Sequence, residues 1–300
     1  MRIGIDIGGT KLESAAIYAN GDIRVRRRMP RPKSDYAGAI EAVFGLVSSI
    51  EHEIGDWRPL GFGIPGMISL ATGLVKNAYN PPFNDHPLDR DLAARFSRPV
   101  RLMNDANCFA LSEAKGGAGA GCHIVFGAIL GTGCGSGIMV NGELLTGTND
   151  ISGEWGHNPL PWPTTDELRG LECDCAKRGY IETFLSETGF ERQHAAFTGN
   201  RITAEDIVAQ AGSGDAQAEH SLALYENRLA RALASIINVI DSEVIVLGGG
   251  LSNVARLYEN VPKLWSQWIF SDQVDTLLLP PKFGDSSSVR GAAWLWARGE

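Results

Sequence analysis

Asp6 is followed by Ile7, Gly8, Gly9, Thr10 and Lys11. An acid, two glycines, a hydroxyl and a cation after an apolar run are the parts of a polyphosphate turn. Glycines let backbone N–H groups approach phosphate oxygens, while Thr10 and Lys11 add a hydroxyl and a positive charge. Asp6 would repel a bare phosphate, so a divalent cation is expected between them. A plain N-terminal hairpin has a similar pattern. A second acid, Asp105 in Asn104-Asp105-Ala106-Asn107, stands where a strand is expected to end and a helix to begin. It can be an N-cap, or a carboxylate kept ionised by the helix dipole and serving as general base for a hydroxyl. Glu154, His157 and Glu182 add carboxylate and imidazole groups of the kind that grip vicinal hydroxyls. Taken singly, each also fits a surface ion pair or a satisfied core histidine.

Positioning these groups requires strands and helices in a definite order. Apolar residues predict two strands around the first glycine turn, between 2 and 17, and a third at 23–29 after Asn20-Gly21-Asp22. Ile40, Val43, Phe44, Val47, Ile50 and Ile54 recur at helical spacing, so 35–54 is an amphipathic helix. Residues 60–64 read as a short buried strand, 76–87 as loop and 100–103 as strand, with a helix from Asp105 to about 115. Gly116 to Gly121 is a composition break and a candidate hinge. The opening pattern then recurs: a strand at 123–130, the turn Gly131-Thr132-Gly133, and a returning strand at 137–140. A long helix at 216–240, a strand at 243–247 ending in Gly248-Gly249-Gly250, a helix after Ser252 and a short helix at 288–297 complete the chain. Two glycine-turn hairpins, one in each half, predict a duplicated α/β fold closing around one nucleotide. No Gly-x-x-x-x-Gly-Lys-Ser/Thr segment occurs, and Gly8-Gly9 leads into strand rather than helix, which excludes P-loop and Rossmann arrangements.

The 300 residues suffice for one large or two medium domains, with 44% hydrophobic and 21% charged residues. A net charge of −8 disfavours nucleic acid as partner. No apolar run is long enough to span a bilayer, and no secretory leader is expected. Five cysteines, with Cys173 and Cys175 close together, do not read as a disulfide framework, so a cytoplasmic setting is expected. Cys108, Cys122 and Cys134 read as buried small residues. Tryptophans 155, 162, 265, 268, 294 and 296 read as core or subunit contacts, and Arg26-Arg27-Arg28 as a solvated strand edge.

Taken together, DIGGTK at 6–11, GIPG at 63–66, NDAN at 104–107, GTG at 131–133, GEWGH at 153–157, the Cys-x-Cys segment to Glu182, and LGGG at 247–250 resemble the ROK-family sugar kinases in order and spacing. The resemblance runs from Ile3 to RGAAWLW at 290–296. Within the family, GTGCGSG at 131–137, VKNA at 75–78 and GEWGHNPLPW at 153–162 look most like bacterial fructokinases, with N-acetylglucosamine kinases and glucokinases as neighbours. The resemblance implies duplicated actin-like ATPase (ribonuclease H-like) domains flanking an interdomain cleft. One lobe would be 1–117 with 287–300, the other 118–286. It further implies MgATP as cosubstrate, a hexose (fructose first) as acceptor, and a homodimer. Asp105 would take the proton from the sugar hydroxyl. Asn104, Glu154, His157 and Glu182 would hold the ring, with Gly66, Asn77 and Asn80 closing over it. Asp6 would organise magnesium. Gly8, Gly9, Thr10 and Lys11, and Gly131, Thr132 and Gly133, would be the two phosphate turns, with Gly248, Gly249 and Gly250 on the adenosine side.

One motif departs from the family. Its zinc segment, Cys-x-Cys-Gly-x-x-Gly-Cys-x-Glu, here has Ala176 for the first glycine and Tyr180 for the third cysteine, leaving His157, Cys173 and Cys175. Structural zinc takes four ligands. The open readings are no zinc, zinc completed by water or a displaced acid, or an aromatic plug, and the reduced set favours absent or weak zinc. Two other functions are compatible with a fold of this type. A sugar-responsive repressor would need a DNA-binding segment before the first turn. A non-catalytic ATPase on the same fold is opposed by Asp105 standing together with Asp6 and both turns.

Overall fold

The computed structural model describes residues 1–9, 11–32, 35–78, 82–173, 175–284 and 287–296. Thr10 and Asn80, both expected at the site, lie outside the described residues. The chain opens with β1 (Arg2–Ile7), β2 (Lys11–Ile17) and β3 (Ile23–Pro30), then α1 (Tyr36–Ile54). Asp35 caps α1 by accepting from the Gly38 N–H at 2.9 Å, and Gly55 ends it with φ 73°. The spaced apolar residues of α1 become its buried face, Ile40, Val43, Val47 and Ile50 among them. There follow β4 (Leu60–Ile64), the hairpin β5 (Met67–Ile68) and β6 (Val75–Lys76), α2 (Leu88–Phe96), β7 (Val100–Asn104) and α3 (Asp105–Gly116). Sequence periodicity does not reveal the β5–β6 hairpin or α2. The hairpin pairs only two residues per strand, and α2 buries only Leu88 and Leu92.

The second half begins with β8 (Ile124–Leu130), β9 (Cys134–Val140) and β10 (Glu143–Leu144). Short helices α4 (Thr165–Leu168) and α5 (Glu182–Leu185) precede α6 (Glu187–Thr198), α7 (Ala204–Gly212) and the long α8 (Ala216–Ile240). The chain then forms β11 (Val244–Gly248), α9 (Arg256–Trp265), β12 (Leu277–Leu279) and α10 (Ser287–Ala293).

Among the described residues the strands form two five-stranded sheets of matching topology, ordered β3-β2-β1-β4-β7 and β10-β9-β8-β11-β12. In each, three antiparallel strands carry a glycine turn, and two further strands join in parallel. The result is a mixed α/β fold of the actin-like ATPase type with a cleft between the two sheets. Each sheet has its own core. Two helices bridge them. α3 packs against β8 and β9, and α10 lies on α3 and on the first sheet. Seating α10 requires Gly4 and Gly61, since a side-chain carbon at either would collide with the Val289 or Ala292 carbonyl. No helix among the described residues is long and apolar enough to cross a membrane.

Some expectations for single residues change. Trp155, Trp265 and Trp294 are buried, but Trp162 is 49% exposed and stacks on Trp268. Cys108 and Cys134 are buried, whereas Cys122 is only partly so. Arg26 and Arg28 do not form a merely solvated edge: both grip Glu13, which has no exposed surface.

Candidate active site

β1 carries Asp6 to the cleft, and the parallel strands β4 and β7 bring Gly63 and Asn104 alongside. Asn104, rather than Asp105, caps α3, accepting from Ala106 N at 2.9 Å and Asn107 N at 3.4 Å. Its amide donates to the Gly66 carbonyl at 3.1 Å. Asp105 therefore sits inside the first turn of α3, one carboxylate oxygen accepting from its neighbour Ala106 N at 2.8 Å. The capping reading falls to Asn104.

The two acids are neighbours. A side-chain carbon at Gly63 would stand 3.4 Å from Asp6 Oδ1 and 3.7 Å from Asp105 Cα, so the bare strand leaves room between them. Burial, then the charge of Asp105 and of Glu13, pushes the Asp6 carboxyl up to about 7, against the pull of Lys11 and Arg28. Burial pushes Asp105 up to about 6, against its bond from Ala106 N, with Glu154 adding to the rise. Two adjacent carboxyls that resist ionising together form a site that a divalent cation would relieve, so the residues fit a magnesium ion at Asp6. Glu13 lies opposite Asp6 in the β1–β2 register. Arg28 binds one Glu13 oxygen through Nε (2.9 Å) and Nη2 (2.6 Å), Arg26 binds the other at 2.7 Å, and Lys11 stands 4.0 Å away. Sequence reasoning missed this anchor. Its signal was an acid inside an apolar strand facing arginines at period two, Arg26 and Arg28.

The remaining sugar-side residues fall into two groups. Gly66, with φ 72°, abuts the backbone of Asn77 and Ala78, so Gly66, Asn77 and Asn104 come together. Glu154 Oε2 stands 3.7 Å from His157 Nδ1 and holds the imidazole above its usual pKa, against the opposing effect of burial. Glu182 also adds to this rise. Glu182 accepts from Cys134 N at 2.9 Å, just after the second glycine turn. Electrostatic influence thus runs from Asp6 to Asp105, from Asp105 to Glu154, and from Glu154 and Glu182 to His157.

On the nucleotide side, the Gly8 N–H closes the first turn on the Lys11 carbonyl at 2.9 Å, and Gly9 has open space around it. In the second turn Gly131 N donates to Gly133 O at 3.1 Å. Gly249, at φ 81°, lies against Leu130 and Gly131, where a side-chain carbon would clash. This joins Gly248, Gly249 and Gly250 to the turn. The start of α6 closes the same corner, with Glu187 N donating to Gly131 O at 2.7 Å and Thr188 Oγ1 to Thr132 O at 2.9 Å.

His157, Cys173 and Cys175 converge, their ligand atoms all within 4.8 Å of one another. Tyr180 puts its ring edge-on to His157, centroids 6.1 Å apart, and Asp174 lies outside the described residues. Three donors with a phenol at the fourth position do not fit a closed structural zinc site.

The ROK family model matches residues 2–299 of the chain. The N-acetyl-D-glucosamine kinase of Vibrio vulnificus is 36% identical over 303 residues, covering 100% of both chains. That of Photobacterium profundum is 36% identical, covering 98% of this chain and 99% of its own. Among solved structures, a ROK family glucokinase from Streptomyces griseus in complex with glucose and AMPPNP is 26% identical with a TM-score of 0.83, covering 99% of each chain.

Proposed function

The chain belongs to the ROK family, and on that premise we propose that it transfers the γ-phosphoryl group of ATP to a hexose hydroxyl. The observation that supports this reading is Asp105, a carboxyl beside Asp6 at the start of α3, the helix that packs against the second sheet. Asp105 accepts the proton of the sugar hydroxyl as its oxygen attacks the γ-phosphorus and ADP leaves. A base with a pKa near 6 is ionised at neutral pH yet basic enough to take that proton. Asn104 fixes the start of α3 to Gly66, so the base cannot drift. Glu154, His157 and Glu182 receive the sugar hydroxyls, and Gly66 and Asn77 border them. The turns at Gly8, Gly9 and Lys11 and at Gly131 to Gly133 hold the phosphates, with Gly248 to Gly250 beside the nucleoside. Magnesium, when bound at Asp6, neutralises phosphate charge.

The sugar is N-acetyl-D-glucosamine, supported by relatives at 36% identity over the whole chain. This moves the preference away from the fructose expected above. Fructose stays as a second reading because GTGCGSG, VKNA and GEWGHNPLPW border the sugar side and resemble fructokinases. Residues 1–117 with the C-terminal helix form one lobe and 118–286 the other, and sugar binding closes them, excluding water. The test is an ADP-release assay with N-acetylglucosamine, fructose, glucose and mannose. The expected result is sugar-dependent release, fastest with N-acetylglucosamine. Faster release with fructose would select the second reading, and sugar-independent release would refute the kinase.

A further inference from the structure

Cys173 and Cys175 are both free thiols, the first 5% exposed and the second open to solvent. The chain holds them in one tight turn. Cys173 N donates to the Lys177 carbonyl at 2.8 Å, and Ala176 N donates to the Cys173 carbonyl at 2.8 Å. Ala176 closes the turn in the left-handed conformation, φ 64°. On either side, Glu172 and Arg178 pair as a bridge, and their side chains meet at 2.7 Å.

The two sulfurs interact directly, and their atoms and the His157 imidazole all lie within 4.8 Å of one another. A turn closed between its first and fourth residues keeps the Cα atoms of its first and third within the span a disulfide bridges. As metal ligands the three donors are one short of a closed structural set, with Tyr180 in the remaining position. As a dithiol the pair is complete. One sulfur is accessible to a reagent, and a shielded one beside it can resolve the product. Of the other three cysteines, Cys108 and Cys134 are buried and Cys122 is partly so.

We propose that Cys173 and Cys175 are a modification site, a dithiol that hydrogen peroxide converts reversibly to a disulfide. The Cys175 sulfur attacks one peroxide oxygen. An S–O bond forms, the O–O bond breaks, and the second oxygen leaves as water with the thiol proton. Cys175 is then a sulfenic acid. The Cys173 sulfur attacks the Cys175 sulfur in turn. The S–S bond forms, the S–O bond breaks, and the hydroxyl leaves as water with the Cys173 proton. The pair loses two electrons, and the peroxide is reduced to two molecules of water. A dithiol reductant restores both S–H groups by exchange. Bridging also withdraws the Cys173 S–H from Glu182 Oε1, its neighbour at 3.8 Å. The assignment does not depend on the kinase reading, since no step involves a sugar or a nucleotide.

Mass spectrometry of the full chain tests it. Purified protein is reduced with 2-mercaptoethanol, desalted without chelator and exposed to a slight excess of hydrogen peroxide. The expected product is lighter by about 2 Da. Its peptide map places the bridge between Cys173 and Cys175, and dithiothreitol restores the original mass. The bridge is expected to form roughly tenfold faster than any oxidation at Cys122. Cys173→Ser is expected to stop at the sulfenic acid on Cys175, trapped as a dimedone adduct. Cys175→Ser is expected to give neither bridge nor adduct. The wild-type result decides even where a variant fails to fold. Thiols that stay reduced, or oxygen added at Cys175 without a bridge, would overturn the proposal. So would a bridge that forms only after chelator is added, because the sulfurs would then be metal ligands.

Discussion

The two glycine turns occupy equivalent places in two sheets of the same strand order, yet they are chemically opposite. The β1–β2 turn is crowded with charge: Asp6 before it, Lys11 after it, and Glu13 beneath it with Arg26 and Arg28. The β8–β9 turn has no ionisable side chain from Leu130 to Cys134 apart from the Cys134 thiol, and presents backbone and the Thr132 hydroxyl. Its support comes from elsewhere in the chain, from Glu182 on Cys134 N and from the start of α6. Duplication supplied the same hairpin twice, and side chains divided the labour. One jaw concentrates charge, and the proposed cation and proton transfer fall to it. The other supplies shape and neutral hydrogen-bonding groups.

The sharpest way to break this contrast is at the charged jaw. Asp105→Asn keeps the side chain's size and its acceptor for Ala106 N but cannot take a proton. Turnover is expected to fall roughly a thousandfold, while sugar affinity measured by calorimetry changes little. Normal turnover in this variant would remove Asp105 as the base. In the wild type, kcat should rise with pH through about 6 as Asp105 ionises.

The same substitution should stabilise the ligand-free protein. In the folded state Asp105 titrates near 6 and Asp6 near 7, both above the ordinary 3.8. The folded chain therefore holds protons that the unfolded chain has lost. The stabilisation this gives is full below about pH 4 and disappears as pH rises to about 7. At pH 8 wild type bears two ionised, adjacent acids, so Asp105→Asn is expected to be more stable by about 2 kcal/mol. Thermal melts at pH 8 and pH 4 check this. A gain of equal size at both pH values would mean that charge is not its cause.

What the sequence disclosed differs between the two jaws for the same reason. Asp6, Gly8, Gly9, Lys11 and Asp105 were legible because each lies within a few residues of a strand end that apolar patterning locates. The duplication of the α/β fold followed from the repeated turn, whereas the strand order of the two sheets came from the structure. Glu13 with Arg26 and Arg28 left only the period-two spacing of the arginines as a signal, since the contact exists only once β2 and β3 pair across 15 residues. Glu182 reaches Cys134 over 48 residues, which no local pattern encodes. The choice between Asn104 and Asp105 as cap turns on a dihedral difference at one residue, below what composition resolves. Thr10 and Asn80 lie outside the described residues, so their expected roles rest on the sequence resemblance.

At the neutral jaw the expected effects are smaller and fall on binding. A side-chain carbon at Gly133 would stand 2.8 Å from Glu182 Oε2. Gly133→Ala therefore displaces that carboxylate, which holds Cys134 N. The KM values for ATP and sugar are expected to rise roughly tenfold, with kcat changed less, because the second turn itself carries no carboxylate. Steady-state kinetics with each substrate varied would show it. A loss confined to kcat would erase the division between the jaws.

The smallest effect concerns how firmly the neutral jaw is held. Cys173 Sγ donates to Glu182 Oε1 at 3.8 Å, so the His157, Cys173 and Cys175 group is mechanically joined to the carboxylate behind the second turn. With Tyr180 in the remaining position this group has three donors. Tyr180→Cys would supply a third sulfur as the fourth ligand and complete a tetrahedral set. Metal analysis of dialysed protein is expected to find about one zinc per chain in the variant and well below that in the wild type. Binding energy at a completed site becomes folding energy, so the variant's melting temperature should rise with zinc and fall with chelator. KM for the sugar should fall slightly, since His157 would lose freedom on forming the metal bond. Equal zinc content in both proteins would mean that the wild-type trio already finds its fourth ligand in solvent. The neutral jaw would then be metal-braced, and the contrast with the charged jaw would narrow to Asp6, Glu13 and Asp105.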